Sequence, residues 1–324
     1  MFWEFYIMRF FLMGLVLLFS LVSLSSCRLA GNSENDDSYL PASEATNYFW
    51  GSAGSKAGQF DEPSGVAADS LGNVYVTDKN NHRIQKFTST GVFVTQWGAA
   101  GSDDGQFNEP SGIAVDSAGN VYVADKENHR IQKFSSTGVF VTQWGAPGSG
   151  DGQFDEPSGI AVDSAGNVYV ADEENHRIQK FTSVGVFVTQ WGTAGSGDGQ
   201  FNEPSGVAAD SSGNIYVTDE DNYRIQKFTS TGVFVTQWGA AGSDDGQFNE
   251  PSGIAVDSAG NVYVADENNH RIQKFTATGV FVARWGSAGS GDWQFDSPTG
   301  VSINPSGSVY VADSGNHRIK KFTP

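Results

Sequence analysis

Phe107-Asn-Glu-Pro-Ser-Gly-Ile-Ala-Val-Asp-Ser-Ala-Gly-Asn-Val-Tyr-Val-Ala-Asp-Lys-Glu-Asn-His-Arg-Ile-Gln-Lys-Phe134 is followed by Ser135-Ser-Thr-Gly-Val-Phe-Val-Thr-Gln-Trp-Gly145, and then the pattern begins again. The opening phenylalanine recurs at Phe60, Phe107, Phe154, Phe201, Phe248 and Phe295, in steps of 47 residues (107 − 60 = 47). The closing tryptophan keeps the same step, at Trp50, Trp97, Trp144, Trp191, Trp238 and Trp285. A fixed period of this size signals a repeat architecture.

Each unit reads as four short strands: Gly112–Asp116, Val121–Ala124, Arg130–Phe134 and Val139–Trp144 in the quoted copy. β-Branched and aromatic residues dominate them and suit a pleated, half-buried surface. Asp-Ser-Ala-Gly-Asn and Ser-Ser-Thr-Gly place glycine where a tight hairpin needs positive φ. Four antiparallel strands per period predict an all-β fold, a six-bladed β-propeller with four-stranded antiparallel blades. A solenoid would need capping units at its ends, and none is written in the sequence. The ends predict closure instead. The last unit stops at Pro324, after Arg318–Phe322, without its fourth strand, while Asn47-Tyr48-Phe49-Trp50-Gly51 is that strand on its own. The N-terminal strand is therefore expected to pair into the last blade, which removes a free join.

The chain has 324 residues and a net charge of −18. An acidic surface repels phosphate backbones, so nucleic acid is excluded as the expected partner. A single cysteine excludes a disulfide framework and cysteine-rich zinc modules. Phe10–Leu24 is a near-continuous apolar run behind Arg9, and Leu24-Ser25-Ser26-Cys27 resembles the lipobox of bacterial lipoproteins. The expected organisation is a lipoprotein-type signal peptide over 1–26, lipidation at Cys27, a flexible polar tether over 27–46 and the propeller over 47–324. A lipid anchor would hold a monomeric propeller on a membrane, outside the cytoplasm.

Strand alternation sorts the loops onto two faces. Asp116–Asn120 and Ser135–Gly138 share one; Asp125–His129 and the connector Gly145–Ser158 share the other, which is longer, more variable and more acidic. Binding concentrates on such loops. Its candidate binding residues are Asp103, Asp104, Asp151, Asp244, Asp245 and Trp293, the last replacing a connector glycine. The glycine-rich acidic connectors could also hold Ca²⁺, although no spaced EF-hand pattern is present. Asn-His-Arg recurs at 81–83, 128–130, 175–177, 269–271 and 316–318, with Asn222-Tyr223-Arg224 as the variant, and contains every histidine of the chain. Symmetry copies roughly 10–15 Å from the axis cannot share one ion with bonds of about 2 Å. The expected role is a clasp in which Asp holds Arg: Asp78 with Arg83, Asp125 with Arg130, Asp172 with Arg177, Asp219 with Arg224, Asp266 with Arg271 and Asp313 with Arg318. Convergence is expected of the innermost strand, which ends at Asp69, Asp116, Asp163, Asp210 and Asp257, with Asn304 in the sixth copy. These carboxylates either cap their own turns or form a ring that would need a cation such as Ca²⁺.

The pattern Pro-Ser-Gly-Ile-Ala-Val-Asp, Gly-Asn-Val-Tyr-Val-Ala-Asp and Asn-His-Arg-Ile-Gln-Lys-Phe resembles the NHL repeat over about residues 48–324, with Arg in the third position of the name-giving Asn-His-Leu. The resemblance implies a six-bladed propeller that serves as an interaction platform for proteins, RNA or glycans, or as the scaffold of certain lyases. The ubiquitin-ligase members carry RING and B-box zinc modules, and this chain has no such modules. Near-identical blades leave no residue set apart for chemistry, so a binding platform for a protein or glycan, one with a repetitive surface in particular, is expected ahead of a metal-dependent lyase or a structural envelope component.

Overall fold

Val168-Tyr-Val-Ala-Asp172 is buried at every residue, which explains why the second strand of each unit is apolar without alternation. A strand covered on both faces reads as a continuous apolar run. The computed structural model describes residues 47–324; the expected signal peptide, Cys27 and tether lie outside the described residues. Six four-stranded antiparallel sheets follow one another along the chain. Blade 3 is built from Pro157–Val162, Val168–Asp172, Arg177–Phe181 and Phe187–Trp191, counted from the axis outward. Blades 1, 2, 4, 5 and 6 begin with the innermost strands Pro63–Ala68, Pro110–Val115, Pro204–Ala209, Pro251–Val256 and Pro298–Ile303.

The ring closes as the two ends predict. Tyr48–Trp50 pairs antiparallel with the third strand of blade 6, with Tyr48 opposite Lys321 and Trp50 opposite Ile319. The innermost strand runs from Pro110 to Val115, so Asp116 falls in the turn rather than in the strand.

The core lies between blades. One cluster joins Tyr122, Ala124 and Ile131 of blade 2 to Phe154, Val168, Val170 and Phe181 of blade 3, and equivalent clusters occur around the ring, including one that joins blade 6 to blade 1. The repeating phenylalanines, such as Phe154, are fully buried in these seams. Outer strands alternate exposed and half-buried residues, as expected for the rim, with valines such as Val141 and Val188 facing outward. Among the described residues no helix is long and apolar enough to cross a membrane.

Candidate functional site at the channel mouth

The innermost strands start with Pro-Ser-Gly, and these short side chains let six strands approach around one axis. Ser111 donates to the carbonyls of Pro157 and Ser158, Ser158 to those of Pro204 and Ser205, and Thr299 to those of Pro63 and Ser64. On the face of the second-to-third strand loops, this ring floors a cavity of about 370 Å³. Its wall comes from the residue that follows the buried clasp aspartate: Lys79, Lys126, Glu173, Glu220 and Glu267. The sixth copy of that position is Ser314. A near-perfect repeat thus carries two cations, then three carboxylates, around one opening.

A second set of residues, each just before an innermost strand, has left-handed backbone. Glu62, Glu109, Glu156, Glu203, Glu250 and Ser297 all have φ between 46° and 57°, a conformation that costs non-glycine residues about 1–3 kcal/mol. Lys126 spans the two sets. Its ammonium lies 3.0 Å from both carboxylate oxygens of Glu173 and 3.2 Å from Glu156. Burial opposes the charge of Lys126, but Glu173 and Glu156 hold its pKa above the usual value. Burial likewise lifts Glu173, and Lys126 offsets that only in part. The oxygens of Glu156, Glu173 and Glu174 come within 4.8 Å of one another, close enough for a metal ion, yet the Lys126 ammonium already contacts two of these carboxylates.

Glu220 and Glu267 are different. Burial, then the charges of Glu173 and Glu267, push Glu220 up to about 8. Burial, then Glu250, pushes Glu267 up to about 7. Ser205 and Ser252 of the innermost strand favour the ionised forms of Glu220 and Glu267 and offset part of these rises, and Lys79 acts weakly on Glu267. The folded state therefore retains protons that the unfolded chain, with carboxyls near 4.5, releases. Stability must fall as pH rises from about 5 through 8. Glu220→Gln is expected to remove most of this slope. In buffer free of amines and divalent cations it should be more stable than the parent by on the order of 3 kcal/mol at pH 9, and equal to it at pH 4. Melting temperatures across that range measure it; equal slopes for the two proteins would refute it.

The residues singled out from sequence fall elsewhere. Asp116 accepts from the backbone N–H groups of Ala118 and Asn120, the Asn120 amide and the Tyr122 hydroxyl. Asp69, Asp163, Asp210 and Asp257 repeat this pattern on the opposite face. Burial, then Asp116, holds the Tyr122 phenol protonated well above its usual range. Arg177 donates through Nε to Asp172 at 2.6 Å, and its two terminal nitrogens reach Ser149 O, Gly150 O, Gln153 O and the Gln190 amide oxygen. Arg83, Arg130, Arg224, Arg271 and Arg318 sit equally close to Asp78, Asp125, Asp219, Asp266 and Asp313. The histidines work between blades: His129 Nδ1 accepts from the Glu156 N–H at 3.2 Å, and His82, His176, His270 and His317 do the same. Asp103, Asp104, Asp151, Asp244 and Asp245 are exposed on the connectors, with Asp245 paired to Arg284 at 3.0 Å. Trp293 is half-buried, edge-on to Phe322 at 5.9 Å between centroids.

An NHL-repeat family model matches residues 60–87, 107–134, 154–181, 201–228, 248–275 and 295–322, just over half of the chain. This chain belongs to the NHL-repeat family. Single NHL units resemble curated animal proteins. A stretch of 47 residues is 51% identical to the B-box type zinc finger protein ncl-1 of Caenorhabditis elegans, and a stretch of 47 residues is 49% identical to the protein brain tumor of Drosophila melanogaster. Each match covers 14% of this chain and only 6% and 4% of those much longer relatives. Among solved structures, a Bacteroides thetaiotaomicron protein of unknown function superimposes with a TM-score of 0.68 at 20% identity, covering 86% of this chain and 76% of that one. Virginiamycin B lyase of Staphylococcus aureus gives 0.58 at 15% identity, covering 87% and 99%. A gluconolactonase of Xanthomonas campestris gives 0.61 at 13%, covering 88% and 99%. At these identities the shared property is the fold.

Convergence is expected of the innermost strand alone, yet the mouth of this NHL propeller is walled by residues one loop farther out. The signal was present as the column of the repeat that reads Lys, Lys, Glu, Glu, Glu, Ser directly after the invariant clasp aspartate. Long side chains bring that column inward from the second-to-third strand loops.

Proposed function

We propose that this propeller is a non-catalytic binding module, tethered outside the cytoplasm, that takes a protein or glycan at the face where the channel cavity opens. One observation carries the reading: blades that are otherwise near copies differ in charge around this cavity, with Lys79 and Lys126 on one arc and Glu173, Glu220 and Glu267 on the next. Pockets that combine a concave wall with a few convergent polar groups are the usual ligand sites. The Leu24-Ser25-Ser26-Cys27 stretch supports the tether. The test is a glycan and peptide array probed with the full chain and with the triple variant Lys79→Gln, Glu220→Gln, Glu267→Gln. The full chain should bind a defined set that the variant loses. No binding, or binding that survives in the variant, would overturn the reading.

A catalytic reading draws on Glu220. A carboxyl with a pKa of about 8 can carry and exchange a proton near neutral pH, as a general acid or base must. Incubation with a streptogramin B or a gluconolactone, read by mass spectrometry, decides it. Turnover that disappears in Glu220→Gln would replace binding by catalysis; intact substrate would leave binding.

A further inference from the structure

The lysines at the mouth follow one rule. Lys79 of blade 1 reaches forward to Glu109 of blade 2, at 3.5 Å. Lys126 of blade 2 reaches forward to Glu156 and Glu173 of blade 3. Blades 4 and 5 repeat the acceptor pair, as Glu203 with Glu220 and Glu250 with Glu267. The residue positioned to reach forward to them is Glu173 in the first case and Glu220 in the second. The sequence thus repeats the same two glutamate positions three times and supplies a lysine to them once. We infer that the pairs Glu203/Glu220 and Glu250/Glu267 bind primary ammonium groups of a ligand entering the channel cavity, in the pose that Lys126 takes at Glu156 and Glu173.

This inference rests on the binding reading and specifies the group recognised. The blade 3 copy is a direct internal demonstration that two carboxylates of this backbone, one of them on a left-handed residue, accept a single aliphatic ammonium at 3.0–3.2 Å. Ser205 and Ser252 line the cavity together with Glu220 and Glu267 and favour their ionised forms. Beyond burial, like charges raise both inner carboxyls: Glu250 acts on its pair partner Glu267, and Glu220 feels Glu173, Glu267 and Glu250 from the neighbouring blades. Glu203 is raised as well, by burial and then by Asp221, Glu174 and Glu173. An entering ammonium relieves that repulsion, just as Lys126 offsets the burial of Glu173. The cavity of about 370 Å³ equals roughly a dozen water volumes, enough for a short aliphatic amine. Two adjacent pairs suit two ammonium groups on one chain. The same chemistry comes from a free diamine or from a lysine side chain, and the probes below separate them.

The experiment is calorimetric titration of the full chain at pH 7.5 and low salt, with 1,5-diaminopentane, the tripeptide Gly-Lys-Gly, its Nε-acetylated form and calcium chloride as separate probes. An amine probe should bind, with protons released on binding as the carboxyls ionise, and the acetylated peptide should not. Glu220→Gln and Glu267→Gln should each weaken binding by roughly ten-fold or more, whereas Asp198→Asn on an exposed connector leaves it unchanged. Glu220→Lys places a lysine one blade behind Glu250 and Glu267. It should abolish amine binding while raising the melting temperature, which separates a filled site from a damaged fold. Tighter binding of the diamine assigns a free amine; tighter binding of the tripeptide assigns a lysine side chain. Calcium binding without amine binding, or amine binding indifferent to Glu220→Gln, overturns the inference. If amines fail while the array still shows ligands lost in the triple variant, the binding reading stands and the ammonium assignment alone falls.

Discussion

Arg177→Ala is expected to lower stability by about 3–5 kcal/mol, the cost of breaking one side of a buried ion pair. The magnitude follows from what one guanidinium satisfies. Asp172 is fully buried, and besides Arg177 it accepts from the Asp155 N–H, the Asn175 amide and the Gln179 amide. Arg177 also gathers three connector carbonyls, those of Ser149, Gly150 and Gln153. Truncation leaves a buried carboxylate without its countercharge, an unsatisfied buried charge being the costly part, and takes this donor from the carbonyls of Ser149 and Gly150, while the Gln153 carbonyl keeps the Gln179 amide. Arg177→Lys keeps the charge but cannot place donors in so many directions, because an ammonium lacks the planar fork; a loss of about 2 kcal/mol is expected. Urea unfolding measures both. Amide exchange should rise first across residues 145–157, the connector that the guanidinium pins. A loss below about 1 kcal/mol for Arg177→Ala would show that the connector holds its shape without the clasp.

The two levels of this molecule were unequally legible. The fold was readable because each element of it is written six times. Phe154 and Trp144 mark seam and outer strand in every copy, and the missing strand after Phe322 matches the spare strand at Tyr48–Trp50. Repetition makes the register redundant, so no single ambiguous residue could mislead. The mouth was hidden by that same redundancy. Residues 79, 126, 173, 220, 267 and 314 lie beside the buried clasp aspartates, where the repeat invites a structural account of everything nearby. The distance from the axis that separates the neighbouring histidines, roughly 10–15 Å, is a backbone distance. Lysine and glutamate side chains reach across part of it, and the left-handed backbone at Glu156 places a second carboxylate beside Lys126. Neither effect shows in strand periodicity. The histidines posed the converse problem: their chemistry drew attention, whereas their Nδ1 atoms accept inter-blade N–H groups, as His129 does from Glu156.

Gly159→Ala is the second large effect, with an expected loss of at least about 3 kcal/mol, at the upper end of overpacking costs. The reason is neither a turn nor positive φ. A β-carbon on Gly159 would stand 2.1 Å from the carbonyl oxygen of Ser205 and 2.8 Å from the α-carbon of Gly206, both backbone atoms of blade 4. Side chains can rotate away from such a contact; backbone in a six-membered ring cannot, because moving one innermost strand outward displaces its neighbours on both sides. The Ser158 hydroxyl, which bridges to the carbonyls of Pro204 and Ser205, would be pried from its acceptors by the same shift. Gly166→Ala makes the comparison. Gly166 sits in the Asp163 hairpin at φ 84°, and a β-carbon there meets nothing closer than 3.7 Å. Its cost is the local one of left-handed backbone, about 1–2 kcal/mol. The two variants therefore separate ring closure from local conformation. A Gly159→Ala loss much larger than that of Gly166→Ala, with weaker ligand binding at the cavity above, would show that the innermost contacts set the spacing of Glu173, Glu220 and Glu267. Equal losses would show that the ring expands freely, and that the spacing of those carboxylates is held by the blades alone.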